Sequence, residues 1–120
     1  MARLQLKVSP TFKAKVILPL ASGEDADITF TFRHRTRSEI VTHAKARQEA
    51  TAALAEDDIE GHIDLDVLMI LDLAEGWDLP DEFNEENIRY LIEHHCSAPG
   101  SIYEVYLKRL TAAKEGNSGR

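Results

Sequence analysis

His94, His95 and Cys96 stand in a row, and imidazole and thiolate are the side chains that hold zinc or serve as base and nucleophile. Neighbouring positions on a helix point about 100° apart, so three in a row do not converge on one ion. Helical zinc ligands sit three or four residues apart. A Cys–His nucleophile also requires a third group to orient the base, and nothing announces one. The run Glu56-Asp57-Asp58-Ile59-Glu60-Gly61 starts like a calcium loop. With Gly61 as the obligatory glycine, Val67 falls where a bidentate glutamate is required. A solvated acidic helix end is the reading that remains. The acids between positions 75 and 86 are of the type used in general acid–base pairs. They lack the histidine, phosphate loop or nucleophile motif that names a reaction. No catalytic, metal-ligating or cofactor-binding residue is assigned, and the chain is expected not to be an enzyme.

The remaining candidates are suited to recognition. Arg33, Arg35 and Arg37, with His34 among them, form a basic cluster at the end of a strand-like run. One use is phosphate contact in a small regulatory or nucleic-acid-binding adaptor, with Phe30 and Phe32 as stacking platforms. Those phenylalanines alternate onto the apolar face of the strand, which places them in a core. The favoured use is pairing with the acidic segment 56–66 of the same or a neighbouring chain. Trp77 and Phe83 flank a short loop, and Tyr103 and Tyr106 lie one helical turn apart. Aromatics complete a small core or anchor an interface, and both readings stand for these four.

The elements that must position these groups are β first and helical after. Leu4, Leu6 and Val8 alternate with polar residues, as in a short half-buried strand ending at Ser9-Pro10. Phe12 to Leu20 places Phe12, Ala14, Val16 and Leu18 on one face, with Pro19 marking an edge or a strand end. Ser22-Gly23-Glu24-Asp25 is turn chemistry. Ala26 to Arg35 alternates again, with Ile28, Phe30 and Phe32 inward. The spacing predicts an antiparallel hairpin, or a three-stranded meander if the first segment joins it.

Thr36-Arg37-Ser38-Glu39 is a capping box opening an alanine-rich helix that should stop near Asp57-Asp58. Asp64 to Glu75 predicts the most buried helix, with Leu65, Leu68, Ile70, Leu71 and Leu73 inward and Gly76 as its C-terminal cap. Asn84 caps a third helix to about His95. Ser97-Ala98-Pro99-Gly100 breaks it, and a last helix runs from about Ser101 to Ala113. The expected architecture is α+β: a hairpin or small sheet, then about four helices. The strand residues pack against Leu68 and Leu71, or the hairpin stands out as an oligomer contact. One domain spans residues 1–120, comprising a hairpin region (1–35), a helical region (36–113) and a flexible polar tail (114–120).

Composition narrows the function classes. The 120 residues are 43% hydrophobic and 29% charged with one cysteine, which excludes low-complexity chains, disulfide frameworks and multi-cysteine metal cages. The longest apolar run, Val67 to Leu71, is far short of the ~20 residues of a membrane span, and no secretory signal is visible. The net charge of −7 divides into +5 over residues 1–47, −14 over 48–95 and +2 over 96–120. A chain without a dominant basic face is a poor general nucleic-acid binder. A basic front and an acidic middle favour self-association or a basic partner.

The order of features from Asp64 to Lys114 carries a resemblance. Glu75-Gly76-Trp77-Asp78 is followed by Asp81-Glu82-Phe83-Asn84-Glu85-Glu86-Asn87-Ile88. Then come Leu91-Ile92, a break at Pro99, and Ile102, Tyr103, Tyr106 and Leu107. This pattern resembles the tail assembly chaperones of long-tailed bacteriophages and prophages over about the last 55 residues. The resemblance implies a protein that oligomerises and coats the tape measure protein, keeping it soluble before tail tube polymerisation. It implies action in the cytoplasm of the bacterial host and absence from the mature virion. It also implies a partner in its own longer, frameshifted form, this chain being the short form. Arg33, Arg35, Arg37, Trp77, Phe83, Tyr103 and Tyr106 are the candidate partner-binding residues, with no cofactor and no membrane involved.

Overall fold

The computed structural model describes residues 3–111. It is α+β: a three-stranded antiparallel sheet and four helices, in the order β1 (Thr11–Pro19), β2 (Asp25–Arg33), α1 (Arg37–Ala52), α2 (Ile59–Leu73), β3 (Ala74–Trp77), α3 (Glu85–His94) and α4 (Ala98–Thr111). Strands β1 and β2 pair in continuous register from Thr11 opposite Arg33 to Pro19 opposite Asp25. Leu20 to Glu24 closes the hairpin through Leu20 N–H to Glu24 C=O (2.7 Å) and Gly23 N–H to Leu20 C=O (2.9 Å). Gly23 has φ +95°, a conformation that a Cβ penalises. The alternation holds as predicted. Ala14, Val16 and Leu18 of β1 and Ile28, Phe30 and Phe32 of β2 are buried on one face. The hairpin therefore packs on the helices rather than standing apart, with α4 against β1 and α2 behind β2.

The third strand is not the predicted one. Leu4, Leu6 and Val8 form no strand and are 88%, 93% and 59% exposed. A tight return along β1 needs positive φ in the turn, and Pro10 is locked near −65° while Ser9 pays to adopt it. The third strand is Ala74–Trp77, predicted as a helix end and loop. It pairs antiparallel with β2, Phe30 opposite Trp77 and Thr31 opposite Gly76, with an irregularity before Phe32 opposite Ala74. Gly76 is thus a ladder residue, not a helix cap.

Helix ends follow local chemistry. Thr36 caps α1 by the predicted box: Glu39 N–H donates to its Oγ1 (3.2 Å) and its own N–H donates to Glu39 Oε1 (2.8 Å). The bond from the Thr36 backbone holds the Glu39 carboxyl below its ordinary range. α1 ends at Ala52, earlier than expected, and buries no residue. α2 begins earlier, at Ile59, because Asp58 caps it through Gly61 N–H (2.9 Å). Asn84 caps α3 by accepting from Asn87 N–H (2.8 Å). Of the expected break Ser97-Ala98-Pro99-Gly100, Ser97 does lie between the helices, while Ala98 to Gly100 form the first turn of α4, where proline costs little because its N–H has no helical partner.

A single cluster of buried side chains joins the sheet face to α2, α3 and α4, with Phe30, Phe32, Ile70, Ile88, Ile102 and Tyr106 at its centre. Within α2 the inward residues are Val67, Met69, Ile70 and Leu73. Leu68, expected inward against the sheet, is 59% exposed. No helix is long and apolar enough to cross a membrane. The proposed tail, 114–120, lies outside the described residues.

Candidate partner-binding surface

The seven candidate residues fall in three places. The three arginines leave the end of β2 together and then diverge. Arg33 is half exposed, with Nη1 3.7 Å from Glu75 on β3. Arg35 turns inward: its Nη2 donates to both Oδ1 and the backbone C=O of Asp72, each at 2.7 Å. That carbonyl lies in the last turn of α2, where C=O groups lack helical partners and a cation is favoured. α2 has no basic residue in its own last turn, so Arg35 supplies the charge from the β2–α1 connection. His43 of α1 adds Nδ1 at 3.0 Å from Asp72 Oδ2. Arg37 makes no ion pair among the described residues.

Within the chain, Arg33 and Arg35 therefore meet Glu75 and Asp72, not its own segment 56–66. Asp64 and Asp66 of that segment are engaged by Arg89 and Arg47. With Arg35 turned inward and Arg33 half exposed beside Glu75, the cluster presents Arg37 and part of Arg33 rather than a row of three cations to an outside phosphate.

Trp77 and Phe83 form the second place, the loop between β3 and α3. The Trp77 ring meets Phe30 edge-on (centroids 6.1 Å) and Phe83 edge-on (5.1 Å). Its Nε1 donates to Asp81 C=O (2.8 Å). Asp78 extends the β2–β3 ladder by donating its N–H to Thr29 C=O (3.0 Å) and accepting from Thr29 N–H at Oδ1 (2.9 Å). Asn87 Nδ2 donates to Glu82 C=O (2.7 Å). The Trp-Asp and Phe-Asn pieces of the motif thus pin one loop. Beside it lies a hollow of about 450 Å³ reaching Leu79, Tyr90 and Leu91.

The tyrosines of α4 separate by one turn into different environments. Tyr106 is 1% exposed, packed on Phe12 and Phe32, and its hydroxyl donates to Arg33 C=O (2.9 Å). Burial is the main cause that raises its phenol above the ordinary range. Tyr106 lies in the core, away from the surface. Tyr103 is half-buried, with the Arg47 guanidinium 5.4 Å from its ring centre.

Tyr103 also borders the feature that residue types alone did not reveal. Between α1, α2 and α4 lies a mostly apolar groove of about 210 Å³, floored by Leu65, Leu68, Met69 and Leu73 and walled by Ala46 and Arg47. Arg47 Nη2 donates to Asp66 (3.2 Å), while its Nη1 is buried without a partner in the groove wall. The groove exists because α1 offers alanines at its contact face, so it fills little of the space over α2. The thin alanine stripe was the available signal; Leu68 facing outward had none.

Among the described residues, no group of three or more His, Cys, Asp or Glu side chains is placed to hold a metal ion. His94 stacks on Tyr90 (3.8 Å) and Cys96 is exposed. A family model described as phage tail assembly chaperone matches residues 1–117. No curated protein and no solved structure matches.

Proposed function

The chain belongs to the phage tail assembly chaperones, and from that premise we propose that it self-associates and binds the tape measure protein, keeping it soluble until the tail tube polymerises around it. The observation that carries this reading is the α1–α2–α4 groove with Leu68 59% exposed at its floor. An amphipathic helix buries its apolar face in such a groove through anchors three and four residues apart. Leucine and methionine on the floor adapt to varied helices, which suits a long partner without one fixed sequence. Burying one leucine contributes roughly 1.5–3 kcal/mol, so affinity has to come from many copies along one partner.

The role requires no catalytic group, and the chaperone is read as non-enzymatic and cofactor-free. It acts in the cytoplasm of the bacterial host and leaves before the virion is complete. Its longer, frameshifted form is the second partner, with the short form assembling around it. Trp77 and Phe83 serve by holding the loop, Tyr103 by bordering the groove, and Arg33 and Arg37 by their exposed charge. The pairing of Arg33 and Arg35 inside the chain speaks against the adaptor reading based on nucleic acid.

Co-expression of the chain with the tape measure protein of the same phage tests this. The soluble fraction of the tape measure protein should rise several-fold with the wild type. Leu68→Asp, which changes an exposed side chain, should leave the chaperone folded and remove most of that rise. No rise with the wild type overturns the chaperone reading. An undiminished rise with Leu68→Asp overturns the groove.

A further inference from the structure

Residues Arg3 to Val8 have the make-up of a strand and no strand to join. Leu4, Leu6 and Val8 project from the chain at 88%, 93% and 59% exposure, alternating with Gln5 and Lys7. Ser9-Pro10 prevents a tight return along β1, as described above. An apolar arm that does not join its own sheet is suited to the sheet of a second copy.

The two open edges of that sheet differ. Pro10 C=O accepts from His34 N–H (2.8 Å), so by antiparallel alternation the even-numbered residues of β1 bond to β2. The N–H and C=O groups of Thr11, Lys13, Lys15 and Ile17 then face outward. This edge is blunted. Pro19 has no N–H to offer there, Arg109 Nη1 occupies Lys13 C=O (3.2 Å), and two lysines line it. The arm carries Arg3 and Lys7, which those lysines repel.

The β3 edge has the opposite character. Asp78 and Gly76 face β2, which turns the backbone of Trp77 outward beside the irregular, exposed Glu75. No proline or lysine lies in β3, and Asp78 and Asp81 bring negative charge to it beside Glu75, which Arg33 only partly offsets at 3.7 Å. The hollow of about 450 Å³ at Trp77, Leu79, Tyr90 and Leu91 opens next to it. We propose that the Arg3–Val8 arm of one copy adds as a strand to the β3 edge of a second copy. Leu4 and Leu6 then enter that hollow, and Arg3 and Lys7 face the acids. The inference rests on the self-association proposed above and assigns it an arm and an edge.

The test uses the full chain. Light scattering after size exclusion should give oligomers for the wild type. Leu4→Lys with Leu6→Lys, both at exposed positions, should bring the mass down to the 13.5 kDa monomer with an unchanged circular dichroism spectrum. In a Cys96→Ser background, a Gln5→Cys chain oxidised with a Glu75→Cys chain should give a disulfide-linked pair, and with a Lys15→Cys chain none. Oligomers that survive the lysine substitutions overturn the arm and leave self-association standing. Linkage to Lys15→Cys instead of Glu75→Cys moves the contact to β1 and overturns the edge. A wild type that stays monomeric at every concentration overturns both, while the co-expression assay still judges tape measure binding separately.

Discussion

Replacing Asp72 with alanine should be among the most damaging single changes outside the apolar core. Its carboxylate holds Arg35 at 2.7 Å and His43 at 3.0 Å, and these contacts fasten α1 and the strand exit to the end of α2. The Arg35 side chain is only 16% exposed, with Nε buried and unpartnered, so the guanidinium has little water to turn to. Hydrogen bonds to charged groups contribute about 1.5–3 kcal/mol, and stranding a buried charge costs more. Asp72 itself is 38% exposed, which tempers the effect toward about 2 kcal/mol. At roughly 2.1 cal/mol/K per residue, the 120 residues have an unfolding entropy of about 250 cal/mol/K. The melting temperature should therefore fall by about 8 °C. The assay is thermal unfolding of the wild type, Asp72→Ala, Arg35→Met and the double variant. Arg35→Met keeps the aliphatic volume and removes the stranded charge, so the double variant should be more stable than Asp72→Ala alone. A loss under about 2 °C, or one that vanishes in 1 M salt as for an exposed pair, refutes the clamp.

Other expectations follow from single contacts. A Cβ on Gly61 meets Asp58 Oδ2 at 2.6 Å, so Gly61→Ala should forfeit the cap and gain nothing from alanine's helix propensity of about 1 kcal/mol. In an Asp58→Ala background only Leu54 Cδ2, the end of a flexible side chain at 3.1 Å, has to give way, so the same change should stabilise by up to about 1 kcal/mol, read by urea unfolding. Tyr106→Phe removes one part-buried bond to Arg33 C=O and should cost about 1 kcal/mol at neutral pH. The folded phenol is raised, so its contribution is complete below the ordinary value of about 10 and fades as pH climbs through the folded value. Tyr106→Phe should accordingly lose less stability than the wild type over that alkaline window.

Alternation and capping are local, and where they decide the structure they were legible. Ile28, Phe30 and Phe32 could face only one way, and Thr36 and Asn84 each announced the helix that begins at the next residue. Strand β3 was not legible because Ala-Glu-Gly-Trp has little β character of its own. It exists by pairing with Phe30 and Thr31, some 45 residues away. Leu4 to Val8 shows the reverse case, a strand pattern without a neighbour. α2 is apolar on nearly every side, so periodicity did not say that Leu68 faces out. Of the candidate residues, the aromatic set was recognisable by type, but its division among loop, groove and core was not. That division depends on where each turn of α4 meets the sheet. The acid partners of Arg33 and Arg35 were hidden for a related reason. Net charge over a segment does not say which carboxylate a side chain can reach.

Helix α1 buries no side chain and is held by its cap and by Arg35, His43 and Arg47 acting through two aspartates of α2. Lifting it away exposes almost no apolar core, so its opening costs far less than unfolding the domain. Its amides should exchange with deuterium well before those of α2 and the sheet. The groove it walls is therefore adjustable in width. A helix docked there, as proposed for the tape measure protein, would meet a hinged jaw rather than a fixed slot, so that copies of the same chain would fit thick and thin stretches of one long partner.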